Sequence, residues 1–219
     1  IGGNGPEGPR LDDGVLVGRG RVFAATSNPG KFEEFRSLLA GLSVEVLSLA
    51  DQPPVVFPEE GTEYEANAVA KARAVAEALG EWALADDSGL EVDALGGAPG
   101  PLSARYGGPG LDDSGRVVRL LGALEDFPQA QARGARFVCV VALVGPGGEQ
   151  AIARGECAGR ILASVRGDEG FGYDPVFQPQ GFEGSMAELG PEVKDQISHR
   201  ARAFAELAPA LAEIPVASD

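Results

Sequence analysis

Arg136 to Val144 is the stretch that most limits what this chain can fold into. After Arg136 it is almost wholly apolar, so it has no face to turn toward water. It reads as a central strand buried on both sides. Gly145-Pro146-Gly147-Gly148 then makes a hairpin turn, Gln150 to Cys157 alternates as the returning strand, and Gly159-Arg160-Ile161-Leu162 continues the sheet.

The first half of the chain supplies further strands and helices. Val22-Phe23-Ala24-Ala25 reads as a short buried strand that runs into Thr26-Ser27-Asn28-Pro29-Gly30-Lys31. Asn28 suits an N-cap and Pro29 the first helical position. The helix behind them carries Phe32, Phe35, Leu38 and Leu39 on one face. Val44 to Leu49 alternates as a strand, and a proline-rich connection follows from Asp51 to Pro58. Thr62 with Glu65 forms a capping box for an alanine-rich helix to about Leu79, with Gly80 as its C-cap. The run Trp82 to Ala85 reads as a strand ending in a turn at Asp86-Asp87-Ser88-Gly89, with Leu90, Val92 and Ala94 on the strand that returns. Asp112 or Asp113 caps a helix to about Leu124, with Val117, Val118, Leu120 and Leu121 as its core stripe. Met186 to Leu189 is a short helix, and a last helix runs from near Ile197 to about Ile214. Residues 1–20, rich in glycine, read as a flexible extension. Residues 21–219 read as one domain, without internal repeat or linker.

Charge narrows the partners. The formal net charge of -15 argues against a ligand held through many phosphate contacts, such as duplex nucleic acid. It leaves room for a small phosphorylated ligand held by a few local cations or a divalent metal. No apolar run approaches the roughly 20 residues of a membrane helix, and the pattern of a secretion signal is missing. Cys139 and Cys157 share no metal-binding spacing and read as reduced, buried thiols, which fits a cytoplasmic protein. With His199 as the one histidine, His-rich zinc sites are excluded.

Within this frame several polar residues stand out. Lys31 lies in the first turn of a helix, where the dipole disfavours a cation, so Gly30 and Lys31 suit an anion resting on free N–H groups. An ordinary capped helix with a solvated lysine is the alternative. Asp86 and Asp87 are adjacent acids that repel unless a positive charge sits between them; the plain alternative is a surface turn. Asn67 and Lys71 share a helix face. Phe171-Gly172-Tyr173-Asp174 sets two rings in a polar loop, where they either plug the core or offer a face to a planar ligand. Taken together, the lysines at 31, 71 and 194, Arg200, the acids at 59, 86 and 87 and the aromatic loop are what Mg²⁺ and a nucleoside triphosphate require.

Six segments carry a family resemblance in order: Thr26 to Lys31, Ala85 to Leu90, Gly96 to Gly100, Ser103 to Tyr106, Gly170 to Pro175 and Ile197 to Arg200. Together they resemble the inosine triphosphate pyrophosphatase family, the HAM1-like noncanonical purine nucleoside triphosphate pyrophosphatases, from about Arg21 to Ile214. The resemblance implies an α/β fold, a single two-lobed domain with a central mixed, twisted sheet flanked by helices and an active site between the lobes. It implies Mg²⁺-dependent hydrolysis of ITP, dITP and XTP to the monophosphate and pyrophosphate, in a homodimer. By position, Asp87 matches the general base and a metal ligand, Glu59 a second metal ligand, and Asp86 lies beside them. Thr26, Ser27, Asn28 and Lys31 match the phosphate-binding turn, and Lys71 and Lys194 the triphosphate-facing lysines. Ser88 matches a substrate contact. Phe171, Gly172, Tyr173 and Asp174 match the base-binding loop, and His199 and Arg200 the pair that reads the purine 6-oxo group. A nucleotide sensor without catalysis, a pyrophosphatase of modified pyrimidines and a Mg²⁺ phosphatase are the competing expectations.

Overall fold

In the computed structural model, which describes residues 19–216, the chain runs β1 (Gly20–Ala24), α1 (Pro29–Leu39), β2 (Val44–Leu47), α2 (Tyr64–Leu79), β3 (Ala83–Val92) and β4 (Pro99–Gly100). It continues through α3 (Asp113–Ala123), β5 (Gly134–Val144), β6 (Gln150–Ile161), β7 (Phe177–Pro179), α4 (Met186–Ile197) and α5 (His199–Leu211). The expected N-terminal extension lies outside the described residues, except that Gly20 already belongs to β1.

The sheet is mixed and has the order β2-β1-β3-β5-β6-β7, with β4 on β3. Strands β2, β1 and β3 are parallel, joined through α1 and α2; the others pair antiparallel. The apolar stretch takes the central place that its composition demands, as β5 between β3 and β6. Side chains alternate between its two faces. Cys139, Val141 and Leu143 pack with Phe35 and Leu39 of α1 and Phe204, Leu207 and Leu211 of α5. Val138, Val140, Ala142 and Val144 pack with Ala68, Ala72, Val75 and Ala76 of α2. A third cluster, built on Leu90, Val92, Val117, Leu120, Phe137 and Phe177, fills the second lobe.

Four expectations are corrected. Asp86 to Gly89 is not a turn: β3 is one strand, paired to β5 without a break from Ala83↔Val144 to Val92↔Ala135. The long apolar partner satisfies every backbone group on that side, which a turn would forfeit. Gly89 fits because a Cβ there would overlap the carbonyl of Gly100. Thr62 does not cap α2; Glu63 precedes the helix and makes no side-chain cap bond. The approach is held instead by tertiary bonds, with Arg105 Nη2 donating to Glu60 O at 2.7 Å and Asn67 Oδ1 accepting from Gly61 N at 2.7 Å. Val118 is 68% exposed, while Val117, Leu120 and Leu124 are buried at i, i+3 and i+7. The caps at Asn28, Asp112 and Gly80 form as expected. The short helix at Met186 extends past a non-helical Gly190 to Ile197.

Candidate active site

The site starts from a gap in the sheet. On one side of β3, β1 pairs only with Ala83 and Leu84, and β4 only with Leu90 and Glu91. Between them the edge of β3 from Ala85 to Gly89 has no partner strand among the described residues. There a cleft of about 810 Å³, including the solvent at its open side, reaches from Asn28 and Lys31 to Phe171, Lys194, His199 and Arg200.

The two aspartates point to opposite faces of the sheet, as neighbours on a strand must. Asp86 faces α1 and α5. Its Oδ1 accepts from Lys31 Nζ at 2.9 Å, and its Oδ2 from Arg200 Nη2 at 2.9 Å and Nε at 3.2 Å. Burial pushes its carboxyl up, but Lys31, Arg200 and Lys71 outweigh burial and hold it well below the usual carboxylate range. Asp87 faces α2. Its Oδ2 accepts from Asn67 Nδ2 at 2.8 Å, and Lys71 Nζ stands 3.8 Å from Oδ1. Lys71 gives its closer contact to Glu60, at 2.8 Å. Burial therefore wins at Asp87, and its pKa is raised. Asp86 is a committed anion locked between cations; Asp87 is the more basic carboxylate and lines the cleft.

The opposite wall is an ion network. Glu34, on α1, accepts from Lys194 Nζ at 2.6 Å and from Arg200 Nη1. Lys194 also meets Asp174 Oδ2 at 2.6 Å, and that oxygen accepts from Phe171 N at 3.0 Å. The Phe171 ring lies over Lys194 Nζ, 4.3 Å from the centroid. It also lies against Gly30, where an added Cβ would be 2.9 Å from Phe171 Cδ1. Arg200 Nη2 reaches Ser88 Oγ at 3.0 Å. His199 stacks on Phe137 with centroids 4.7 Å apart and planes at 13°. Burial, then Arg200 and Lys194, drive its pKa well below 6.5, so it stands neutral. Its Nδ1 has no partner among the described residues. Ser198 caps α5 and so fixes where His199 and Arg200 emerge. A cation in a helix's first turn opposes the dipole, and Asp86 and Glu34 offset that cost for Arg200.

Of the residues named from sequence, the structure brings Asn28, Lys31, Asp87, Ser88, Phe171, Gly172, Tyr173, Asp174, Lys194, His199 and Arg200 to the cleft. Asp86 and Lys71 stand behind its lining. Thr26 and Ser27 border an adjoining hollow with Pro53, Pro54 and Phe57. Glu59 is exposed and does not line the cleft, whereas Glu60 does. Sequence reasoning missed the roles of Glu34, Glu60 and Asp113. Glu34 had a signal, since it follows Lys31 by three positions and so shares its helix face. Asp113, whose Oδ2 accepts from Gly172 N at 2.8 Å, had none beyond its place near a cap.

Among the described residues no three His, Cys, Asp or Glu side chains converge as a ready-made metal cage. Mg²⁺ is commonly held by one or two carboxylates completed by substrate phosphates and water. Asp87 and Glu60, both on the cleft, fit that donor chemistry. No helix of the described residues is long and apolar enough to cross a membrane.

Comparison with known proteins points to one family. The model of the Ham1 family matches residues 22–210. A protein of Mycobacterium tuberculosis named dITP/XTP pyrophosphatase is 49% identical over 195 residues, covering 87% of this chain and 95% of that protein. One of Nocardia farcinica with the same name is 48% identical over 198 residues, covering 89% and 96%. The solved structure of a HAM1 protein from Coxiella burnetii superposes with a TM-score of 0.78 at 37% identity, covering 88% of this chain and 98% of that one.

Proposed function

The chain belongs to the Ham1 family, and on that premise we propose that it hydrolyses the noncanonical purine nucleoside triphosphates ITP, dITP and XTP to the monophosphate and pyrophosphate, by Mg²⁺-assisted attack of water at the α-phosphorus. The observation that carries the reading is the placement of Asp87: a buried carboxylate on the cleft, its Oδ2 fixed by Asn67 and Lys71 Nζ 3.8 Å from its Oδ1. It is supported by relatives named for dITP and XTP.

Asp87 accepts the proton of the attacking water at Oδ1, while Asn67 holds Oδ2 and so fixes the carboxylate plane. Asp87 with Glu60 would hold Mg²⁺, and Glu59, exposed beside Glu60, is the second acid available. When bound, the ion supplies Lewis acidity and lowers the pKa of coordinated water. Lys31, with the start of α1 behind Asn28, takes up charge on the departing pyrophosphate, and Lys71 is the second lysine assigned to the triphosphate. Phe171 stacks on the purine and Arg200 donates to its 6-oxo oxygen. A 6-amino group would set donor against donor there, so adenine is disfavoured. We also place the protein in the cytoplasm as a homodimer; the free, buried Cys139 and Cys157 support a reducing compartment.

The test is to supply ITP and Mg²⁺ and identify the products. IMP with pyrophosphate is expected; orthophosphate would overturn the reading. Asp87→Asn is expected to lower kcat by about 10²–10⁴-fold while ITP still binds by calorimetry. A near-normal rate would remove Asp87 as base.

A further inference from the structure

Among the described residues three buried polar side-chain atoms lack a hydrogen-bond partner, and two of them belong to residues lining the cleft: His199 Nδ1 and Arg116 Nε. His199 belongs to the base-reading pair already described. Arg116 has no place in that account. It lies near the start of α3, and its Nη1 donates to Asp113 Oδ1 at 3.1 Å. The other oxygen of Asp113 accepts from Gly172 N at 2.8 Å. Arg116 is thereby tied to the loop that carries Phe171, the ring read as stacking on the base. It also lies close enough to Tyr173 to draw down that phenol's pKa, against the burial that raises it. A guanidinium can shed neither its charge nor its donors, and an unpaired N–H is costly to bury. Nε itself is enclosed, but the side chain is 20% exposed and lines the cleft, so the N–H groups that Asp113 does not take are open to an acceptor that the described residues do not provide.

We propose that Arg116 reads the 2-position of the purine and makes the enzyme favour xanthine and reject guanine. The inference rests on reading the cleft as a purine nucleoside triphosphate site, with Arg200 at the 6-oxo edge. The three 6-oxopurines differ at carbon 2. Xanthine carries an oxygen there, hypoxanthine a hydrogen and guanine an amino group. An arginine N–H finds an acceptor in the first, no polar partner in the second and another donor in the third. Xanthine nucleosides also lose a ring proton near neutral pH, which strengthens their attraction to a fixed cation. Arg200 cannot make this distinction, because all three bases present the same 6-oxo oxygen.

The experiment measures kcat/KM for XTP, ITP and GTP with the wild-type protein, Arg116→Met and Arg116→Lys, each checked for folding by thermal melting. In Arg116→Met the XTP/ITP ratio is expected to fall about tenfold or more, and the GTP/ITP ratio to rise. Arg116→Lys, which keeps the charge and loses the planar fork, is expected to fall between the two. A loss shared equally by all three nucleotides would mean that Arg116 only braces α3 against the loop, and would overturn the proposal, as would unchanged ratios. Failure of the wild-type protein to hydrolyse either ITP or XTP would overturn the reading of the cleft itself, and this inference with it.

Discussion

Two carboxylates adjacent in sequence become different chemical groups because a strand turns successive side chains to opposite faces. Asp86 meets two cations at 2.9 Å, whereas Asp87 meets one at 3.8 Å that is already paired elsewhere. At such distances the difference outweighs their shared burial. Asp86 therefore acts as the fixed counter-ion that holds Lys31 and Arg200 in place. Removing it leaves Lys31 without its carboxylate and the buried Arg200 with Glu34 alone, so Asp86→Asn is expected to destabilise the fold by about 3 kcal/mol at neutral pH. The pH dependence has a definite sign. The folded pKa of Asp86 lies below the unfolded value of about 3.9. Its contribution is thus complete above that value and is lost as pH falls below it toward the folded pKa. Urea denaturation at neutral and acid pH checks this: the wild type should lose stability below about pH 4, with a flatter dependence in Asp86→Asn. Equal acid sensitivity in both proteins would contradict the assignment.

At the scale of elements, the site depends on how closely α5 docks on β6. Gly155 makes that possible: a Cβ there would overlap His199 O and the backbone N of Ala203, and would lie 3.0 Å from Arg202 Cβ. Gly155→Ala should push away the end of α5 that carries His199 and Arg200. The expected outcome is a loss of about 1–3 kcal/mol in urea denaturation, together with a raised KM for ITP. Wild-type stability and KM would show that α5 is not seated this way. Much at this scale was legible in the sequence. Asn28-Pro29, Asp112 and Gly80 carry local capping chemistry, and Val138 to Val144 carries a composition that only a central strand satisfies. What was not legible depends on distant partners. Asp86 to Gly89 has the composition of a turn, and only pairing with β5 makes it strand. Thr62 and Glu65 have the spacing of a capping box, but Arg105 and Asn67, from outside that motif, hold the helix entry.

At the scale of the whole molecule, a protein of net charge -15 handles a triphosphate by concentrating its cations. Lys31, Lys71, Lys194 and Arg200 come from four separate segments and meet where β1 stops short of Asp86 and β4 has not yet begun. Motif order named these residues, and only the gap in the sheet explains why they converge. Glu34, Glu60 and Arg116 join them through folding and carry weak local signals or none. In the proposed reaction water attacks the α-phosphorus beside Asp87. Hydrolysis of ITP with Mg²⁺ in water enriched in heavy oxygen, followed by mass spectrometry of both products, tests it most directly. The label is expected in the monophosphate; label in the pyrophosphate would rule out attack at the α-phosphorus.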